Sequence, residues 1–152
     1  MGLDQKNKHL LELLQDNGRA SLTDLSKALG LSIDATHKRL KKLHAGGIIA
    51  KFGIFINPKA LGYDLVANVQ IKLQNISEDE LDKFILFLKN HKQVIELITV
   101  LGDYDLTCVI IAPNTEELER ISREIRQKFK SLIADWRSVI NLKVHKFEEY
   151  SF

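Results

Sequence analysis

Four cations, Lys38, Arg39, Lys41 and Lys42, fall within five consecutive positions and are interrupted only by Leu40. On a helix they spread over a broad polar face, and charge at that density suits either a solvated surface or a polyanion. The distribution of charge along the chain favours the polyanion. Residues 1–62 carry 10 Lys/Arg against 5 Asp/Glu, whereas residues 63–152 carry 12 against 15. A second group, Gly102-Asp103-Tyr104-Asp105, sets two carboxylates in a glycine-led turn. A hairpin alone explains those residue types, because Gly and Asp tolerate its backbone angles. Two carboxylates beside exposed backbone at a subunit interface also suit capture of an ammonium group, and the residues by themselves leave both readings open.

The remaining reactive side chains form no chemical pattern. His9, His37, His44, His91 and His145 lack metal-ligand spacing. Cys108, the single cysteine, sits in the apolar run from Leu106 to Ala112 and has no disulfide or zinc partner. Glu78-Asp79-Glu80 and Glu116-Glu117 fall in the first turns of predicted helices, where the helix dipole favours anions. Phosphate-loop, nucleophile-elbow and dinucleotide motifs are absent. The expectation is therefore no metal, no cofactor and no catalytic residue. The composition, 45% hydrophobic and 28% charged, is that of a globular protein. With no run of some 20 apolar residues and no leader-like start, the chain is expected in the cytoplasm, at the nucleoid if it binds DNA.

The elements that must hold the cations are legible from caps and glycines. Residues 3–17 predict a helix with Leu10, Leu11 and Leu14 inward and Gly18 at its end. Ser21 predicts the cap of a short helix, Leu22 to Leu29, with Asp24 in its first turn, and Gly30 ends it. Ser32 predicts the cap of a third helix, Ile33 to Ala45, with Ile33, Thr36, His37, Leu40 and Leu43 inward. Leu25 and Leu29, the Gly30 turn, Leu31, Thr36 and Leu40 have the spacing of a helix-turn-helix. Its second helix exposes Asp34, Ala35, Lys38, Arg39, Lys41 and Lys42, the earlier residues towards base edges and the later cations towards phosphates. Ile48 to Ile56 reads as extended, and Asn57-Pro58 as a turn.

Behind this lies a different rhythm. Leu65 to Leu73 alternates as a strand, Ser77 caps a helix to about Asn90, and Val94 to Leu101 and Leu106 to Ala112 read as strands. Thr115 is placed as the cap of a helix with Leu118, Ile121, Ile125 and Phe129 inward. A last strand is read over Arg137 to Phe147. The fold class is α+β: a winged or helix-turn-helix three-helix domain (1–50), a linker (51–63) and a ferredoxin-like βαββαβ domain with an antiparallel sheet (64–152). Helices cover one face of such a sheet, yet Leu97-Ile98 and Val109-Ile110-Ile111 offer apolar groups to both. Such strands are usually buried on both sides, so a second copy of the sheet is the expected cover and a homodimer the expected state.

Leu3-Asp4, Leu10-Leu11, Asn17-Gly18-Arg19, Leu29-Gly30-Leu31-Ser32, Arg39-Leu40 and Gly47-Ile48-Ile49 resemble the N-terminal signature of the leucine-responsive (Lrp/AsnC) regulator family. Pro58-Lys59-Ala60-Leu61-Gly62 resembles its linker, and Gly102-Asp103-Tyr104-Asp105 its sensor motif. Asn7 stands where that family usually has an acidic residue, and Thr36 where an aliphatic one is usual. The resemblance implies a transcriptional regulator that binds a pseudo-palindromic operator in double-stranded DNA as a homodimer, with assembly to octamers frequent. On this reading DNA is met by Ser21, Ser32, Asp34, Ala35, Thr36, Lys38, Arg39, Lys41 and Lys42. The resemblance further implies an amino-acid effector held by Thr99, Leu101, Gly102, Asp103, Tyr104 and Asp105. Two other functions fit the same architecture. One is an enzyme like the sirohaem decarboxylases, for which His145 is the residue of interest; the other is a DNA-packing protein of low sequence preference.

Overall fold

Asp4 starts the first helix, α1 (Gln5–Asp16), by accepting the Asn7 N–H at 2.7 Å. The computed structural model describes residues 3–152, and the chain divides into two units. The first comprises the chain up to Ile56 together with His145–Phe152; the second is Asn57–Val144.

In the first unit Ser21 caps α2 (Leu22–Leu29) through the Asp24 N–H, and Ser32 caps α3 (Ile33–Ala45) through the Ala35 N–H. Gly30 makes the turn between them at φ 63° and ψ 42°, a left-handed conformation that a side chain disfavours. The three helices close on Leu10, Leu11, Leu25, Leu29 and Leu43, with Leu14, Leu31 and Leu40 at the margin. Ile48 and Ile49 still belong to the turn that closes α3, their N–H groups donating to Leu43 O, and residues 50–56 follow without joining a sheet.

The second unit is a four-stranded antiparallel sheet of order β2-β3-β1-β4, built from β1 (Leu65–Leu73), β2 (Val94–Thr99), β3 (Leu106–Ala112) and β4 (Ile133–Ile140). Two helices, α4 (Glu78–Asn90) and α5 (Thr115–Lys128), supply the other layer. Ala67, Val69 and Ile71 of β1 share a face with Ile110, Cys108 and Leu106 of β3 and pack against Phe84, Leu88, Ile121 and Ile125. The opposite face carries Val66, Asn68, Gln70 and Lys72 beside Thr107, Val109 and Ile111, with Ile98 and Val139 on the flanking strands.

Two elements differ from the sequence reading. The last strand is Ile133–Ile140, not Arg137 to Phe147. It begins immediately after Leu132, whose N–H bonds Phe129 O, and the register pairs Trp136 with Ile71 and Asp135 with Lys72. The later alternation belongs to the chain's last residues, which pack within the first unit. There the Phe147 ring meets Phe55 edge-on at 5.4 Å, and Gln15 bonds both backbone groups of Tyr150. Helix α5 is capped by Asn114, whose side chain accepts the Glu117 N–H at 2.9 Å; Thr115 is the first helical residue. Asn and Thr both cap well, and the adjacent pair is ambiguous in sequence.

Candidate nucleic-acid interface and effector turn

Helix α3 presents Asp34, His37, Lys38, Lys41 and Lys42 to solvent as one continuous face, set by their three- and four-residue spacing. Lys38, Lys41 and Lys42 form no salt bridge with any described residue. None of the three is held in an ion pair by the fold, although Lys42 is near enough to Asp4 to help lower its pKa after Arg39. The inward face is Thr36 and Leu43, with Leu40 half-buried. His37 and Ile33, placed inward by the sequence reading, are exposed. With Thr36, Leu40 and Leu43 already filling the inner stripe, position 37 lies about 100° away from Thr36, and the 3.6-residue period would have placed it beside the lysines.

The other residues assigned to DNA play different local parts. The Ser21 hydroxyl accepts the Asp24 N–H at 3.1 Å and donates to the Asp24 carboxylate at 2.6 Å. The Ser32 hydroxyl accepts the Ala35 N–H at 3.1 Å. Both serines remain exposed while fixing the starts of their helices. Thr36 is fully buried and its hydroxyl donates to Ser32 O at 3.0 Å, so it seats the helix and cannot reach a duplex. Ala35 is half-buried against a groove of about 460 Å³ between α1 and α3.

Arg39 also departs from its neighbours. Its guanidinium lies 2.6 Å from Asp4 and 3.0 Å from the Asn7 side-chain oxygen, on the groove between α1 and α3. The same Asp4 carboxylate caps α1. Its pKa is held below the ordinary carboxylate range, first by the Arg39 hydrogen bond and then by the Asn7 N–H. The Lys6 ammonium donates to Leu29 O at the end of α2, so α1 is tied to both helices of the turn motif.

At the turn between β2 and β3, Leu101, Gly102 and Asp103 are exposed, as is Thr99 at the end of β2. Asp105 is engaged by its own fold: its carboxylate accepts the Leu73 N–H at 2.7 Å and lies 3.5 Å from Lys72 Nζ. Its backbone N–H bonds Ile71 O. The Tyr104 hydroxyl donates to Asp135 at 3.0 Å. The turn is therefore latched to β1 and β4, and Asp103 is the carboxylate of the pair with no described partner. Burial pushes the Cys108 thiol up to about 12, so at neutral pH it stays protonated and unreactive. Among the described residues no group of three His, Cys, Asp or Glu side chains comes together to hold a metal ion. His145 lies beyond β4. No described helix is long and apolar enough to cross a membrane.

Comparison with known proteins agrees with both halves. Residues 3–44 match the model of the AsnC-type helix-turn-helix domain, and residues 66–149 match that of the Lrp/AsnC ligand binding domain. The chain is 32% identical over 144 residues to the HTH-type transcriptional regulator FL11 of Pyrococcus furiosus, covering 95% of this chain and 92% of that one. It is 36% identical over 119 residues to the regulator LrpA of Pyrococcus horikoshii, covering 78% and 82%. The fold is also that of AsnC from E. coli, at a TM-score of 0.83 and 24% identity, with 99% of each chain covered. The chain belongs to the Lrp/AsnC family of helix-turn-helix transcriptional regulators.

Proposed function

We propose that this chain binds a pseudo-palindromic DNA operator as a homodimer and that an amino acid or similar small molecule tunes that binding. Each protomer sets α3 in a major groove, and the two half-sites are about 10 base pairs apart or a multiple of it. Asp34 and His37 face base edges, while Lys38, Lys41 and Lys42 meet phosphates. Arg39 acts mainly by fixing α3 on α1. The observation that carries this reading is the set of three lysines on the exposed face of a helix-turn-helix that form no salt bridge with any described residue. The effector is held near Thr99, Leu101, Gly102, Asp103 and Tyr104, with a second copy completing the site, and acts by favouring one assembly or one spacing of the DNA-binding units.

The experiment is selection of genomic fragments by the purified protein, followed by anisotropy titration on selected and random duplexes with and without a panel of amino acids. The expected result is binding to selected duplexes on the order of a thousand-fold or more tighter than to random ones. Near-equal affinities would establish a packing role instead. A co-purifying coloured porphyrin with no duplex affinity would establish the decarboxylase reading.

A further inference from the structure

The last carbonyls of α2 have no partner within the helix, as at every helix C-terminus. Ser26 O accepts the Leu31 N–H at 3.0 Å and Lys27 O the Gly30 N–H at 3.2 Å, both from the turn. Leu29 O is satisfied differently. Leu29 is fully buried, so water does not reach its carbonyl, which accepts the Lys6 ammonium from α1. A buried carbonyl without such a donor is costly. The ammonium also stands over the turn itself, since a methyl group on Gly30 would lie 3.8 Å from Lys6 Nζ. A positive charge there complements the C-terminal end of the α2 dipole, and Lys6 forms no salt bridge with any described residue.

Lys6 and Asn7 are neighbours on α1 and point about 100° apart around the helix, so they serve different partners. Lys6 holds the residue before Gly30, while Asn7 and Asp4 hold Arg39 beyond it, at 3.0 and 2.6 Å. The rest of the joint is apolar, with Leu10 and Leu11 set against Leu25, Leu29 and Leu43. Burial of such side chains is non-directional and tolerates a small rotation of one helix on another. Hydrogen bonds tolerate less, because they weaken steeply as their angle closes. The polar contacts from one turn of α1 thus fix the angle at which α3 leaves the glycine.

We infer that Lys6 is a positioning residue for sequence discrimination: by holding Leu29 O it aims the first turn of α3 at base edges without touching the duplex itself. The inference rests on the operator reading given above. Base and phosphate contacts ask different things of that aim. Lysines on flexible four-carbon stems can follow a phosphate through a small tilt of the helix. Short side chains at a base edge have no such slack, and they carry the sequence information. Loss of the Lys6 contact therefore erodes specificity and leaves the electrostatic part of binding intact.

Full-length Lys6→Met keeps the stem and removes the ammonium. It is titrated by anisotropy against selected and random duplexes at several salt concentrations, well below its melting temperature. The ratio of the two affinities is expected to fall about tenfold, the equivalent of roughly one base contact, with the salt slope on random duplex unchanged. Lys6→Arg retains a cationic donor and should restore most of the ratio. Lys8→Met removes a charge from the same helix that forms no salt bridge with any described residue, and should keep the wild-type ratio. Should Lys6→Met melt too low to titrate, Lys6→Gln also lacks the ammonium and should show the same loss in part. The inference is overturned if the wild type discriminates and a folded variant lacking the ammonium discriminates equally well, or if Lys6→Arg fares no better than Lys6→Met. It is equally overturned by a slope reduced by about 0.9 with the same weakening on both duplexes, which would make Lys6 a phosphate contact. A wild type that binds both duplexes alike removes the operator reading itself, and this inference with it.

Discussion

Arg39 and Asp4, 35 positions apart in sequence, meet at 2.6 Å and join the exposed helix of the turn motif to the cap of α1. Their contact is exposed, so its value lies in orientation more than in stability. It still has a signature in pH. The folded-state pKa of Asp4 is lowered, by Arg39 first and by the Asn7 N–H second, so the folded protein binds this proton less tightly than the unfolded chain. The stabilisation is complete above the unfolded carboxylate value of roughly 4 and is lost as pH falls through the lower folded value. Asn retains the capping oxygen and removes only the charge. Thermal melts of wild type and Asp4→Asn should be separated at pH 7 and converge as the pH drops below about 4. A gap of constant size down to the acid limit of the fold contradicts the ion pair.

The lysines and Arg39 should separate by experiment. Lys38, Lys41 and Lys42 form no salt bridge with any described residue, so each Lys→Ala variant that removes one phosphate contact should reduce the slope of log affinity against log salt by about 0.9. The loss should be similar on selected and random duplex, with Tm unchanged. Arg39→Ala should do the reverse: a lowered Tm with a smaller change in slope. Anisotropy titrations at several salt concentrations, paired with melts, read both effects. Equal slope changes for Arg39 and Lys41 would return Arg39 to the phosphate contacts.

Much of this was legible in the sequence for physical reasons. Ser21 and Ser32 announce helix starts because few other residues satisfy the free N–H groups there, and Gly30 marks the turn because its backbone needs positive φ. The βαββαβ order followed from two clear periodicities. What the sequence hid was the use of side chains across long separations. Nothing local distinguishes Arg39 from Lys41 until α1 is folded beside it, nor Asp105 from Asp103 until β1 brings the Leu73 N–H within 2.7 Å. The tail misled for a related reason. Its alternation is strand-like, but Phe147 and Tyr150 find their partners, Phe55 and Gln15, far back in the sequence and within the same first unit.

Asp105 and Asp103 give a second paired test. Asp105→Ala strips the half-buried Leu73 N–H of its acceptor and should cost about 1–3 kcal/mol in chemical denaturation. Asp103→Ala should fall within about 0.5 kcal/mol of wild type, as an exposed residue with no described partner. If the turn also holds an ammonium group, Asp103→Ala should lose effector response at unchanged stability. Equal destabilisation by the two variants would mean that the latch at Leu73 contributes nothing.

The open face of the sheet bears on the number of copies at an operator. Ile98 and Val139 are 46% and 51% exposed there, beside half-buried Val66 and Val109, with Asn68, Gln70, Lys72 and Thr107 between them and the charged Glu96, Asp135 and Arg137 on the flanking strands. Placing a charge in the middle of an interface of this kind desolvates it without a partner. Ile98→Asp combined with Val109→Asp, neither of which has a cation opposite it on a neighbouring strand, should shift sedimentation from dimer or larger to monomer. Leu86→Asp, on the outward side of α4 and 58% exposed, should leave the assembly unchanged. The consequence for DNA follows from linkage. Two recognition helices held in one particle bind a two-half-site operator with an effective concentration that single helices lack. The monomeric variant should therefore bind a full operator hardly better than a single half-site, while its salt slope per half-site stays that of wild type. Full operator affinity in a variant shown by sedimentation to be monomeric would dissociate DNA recognition from this face.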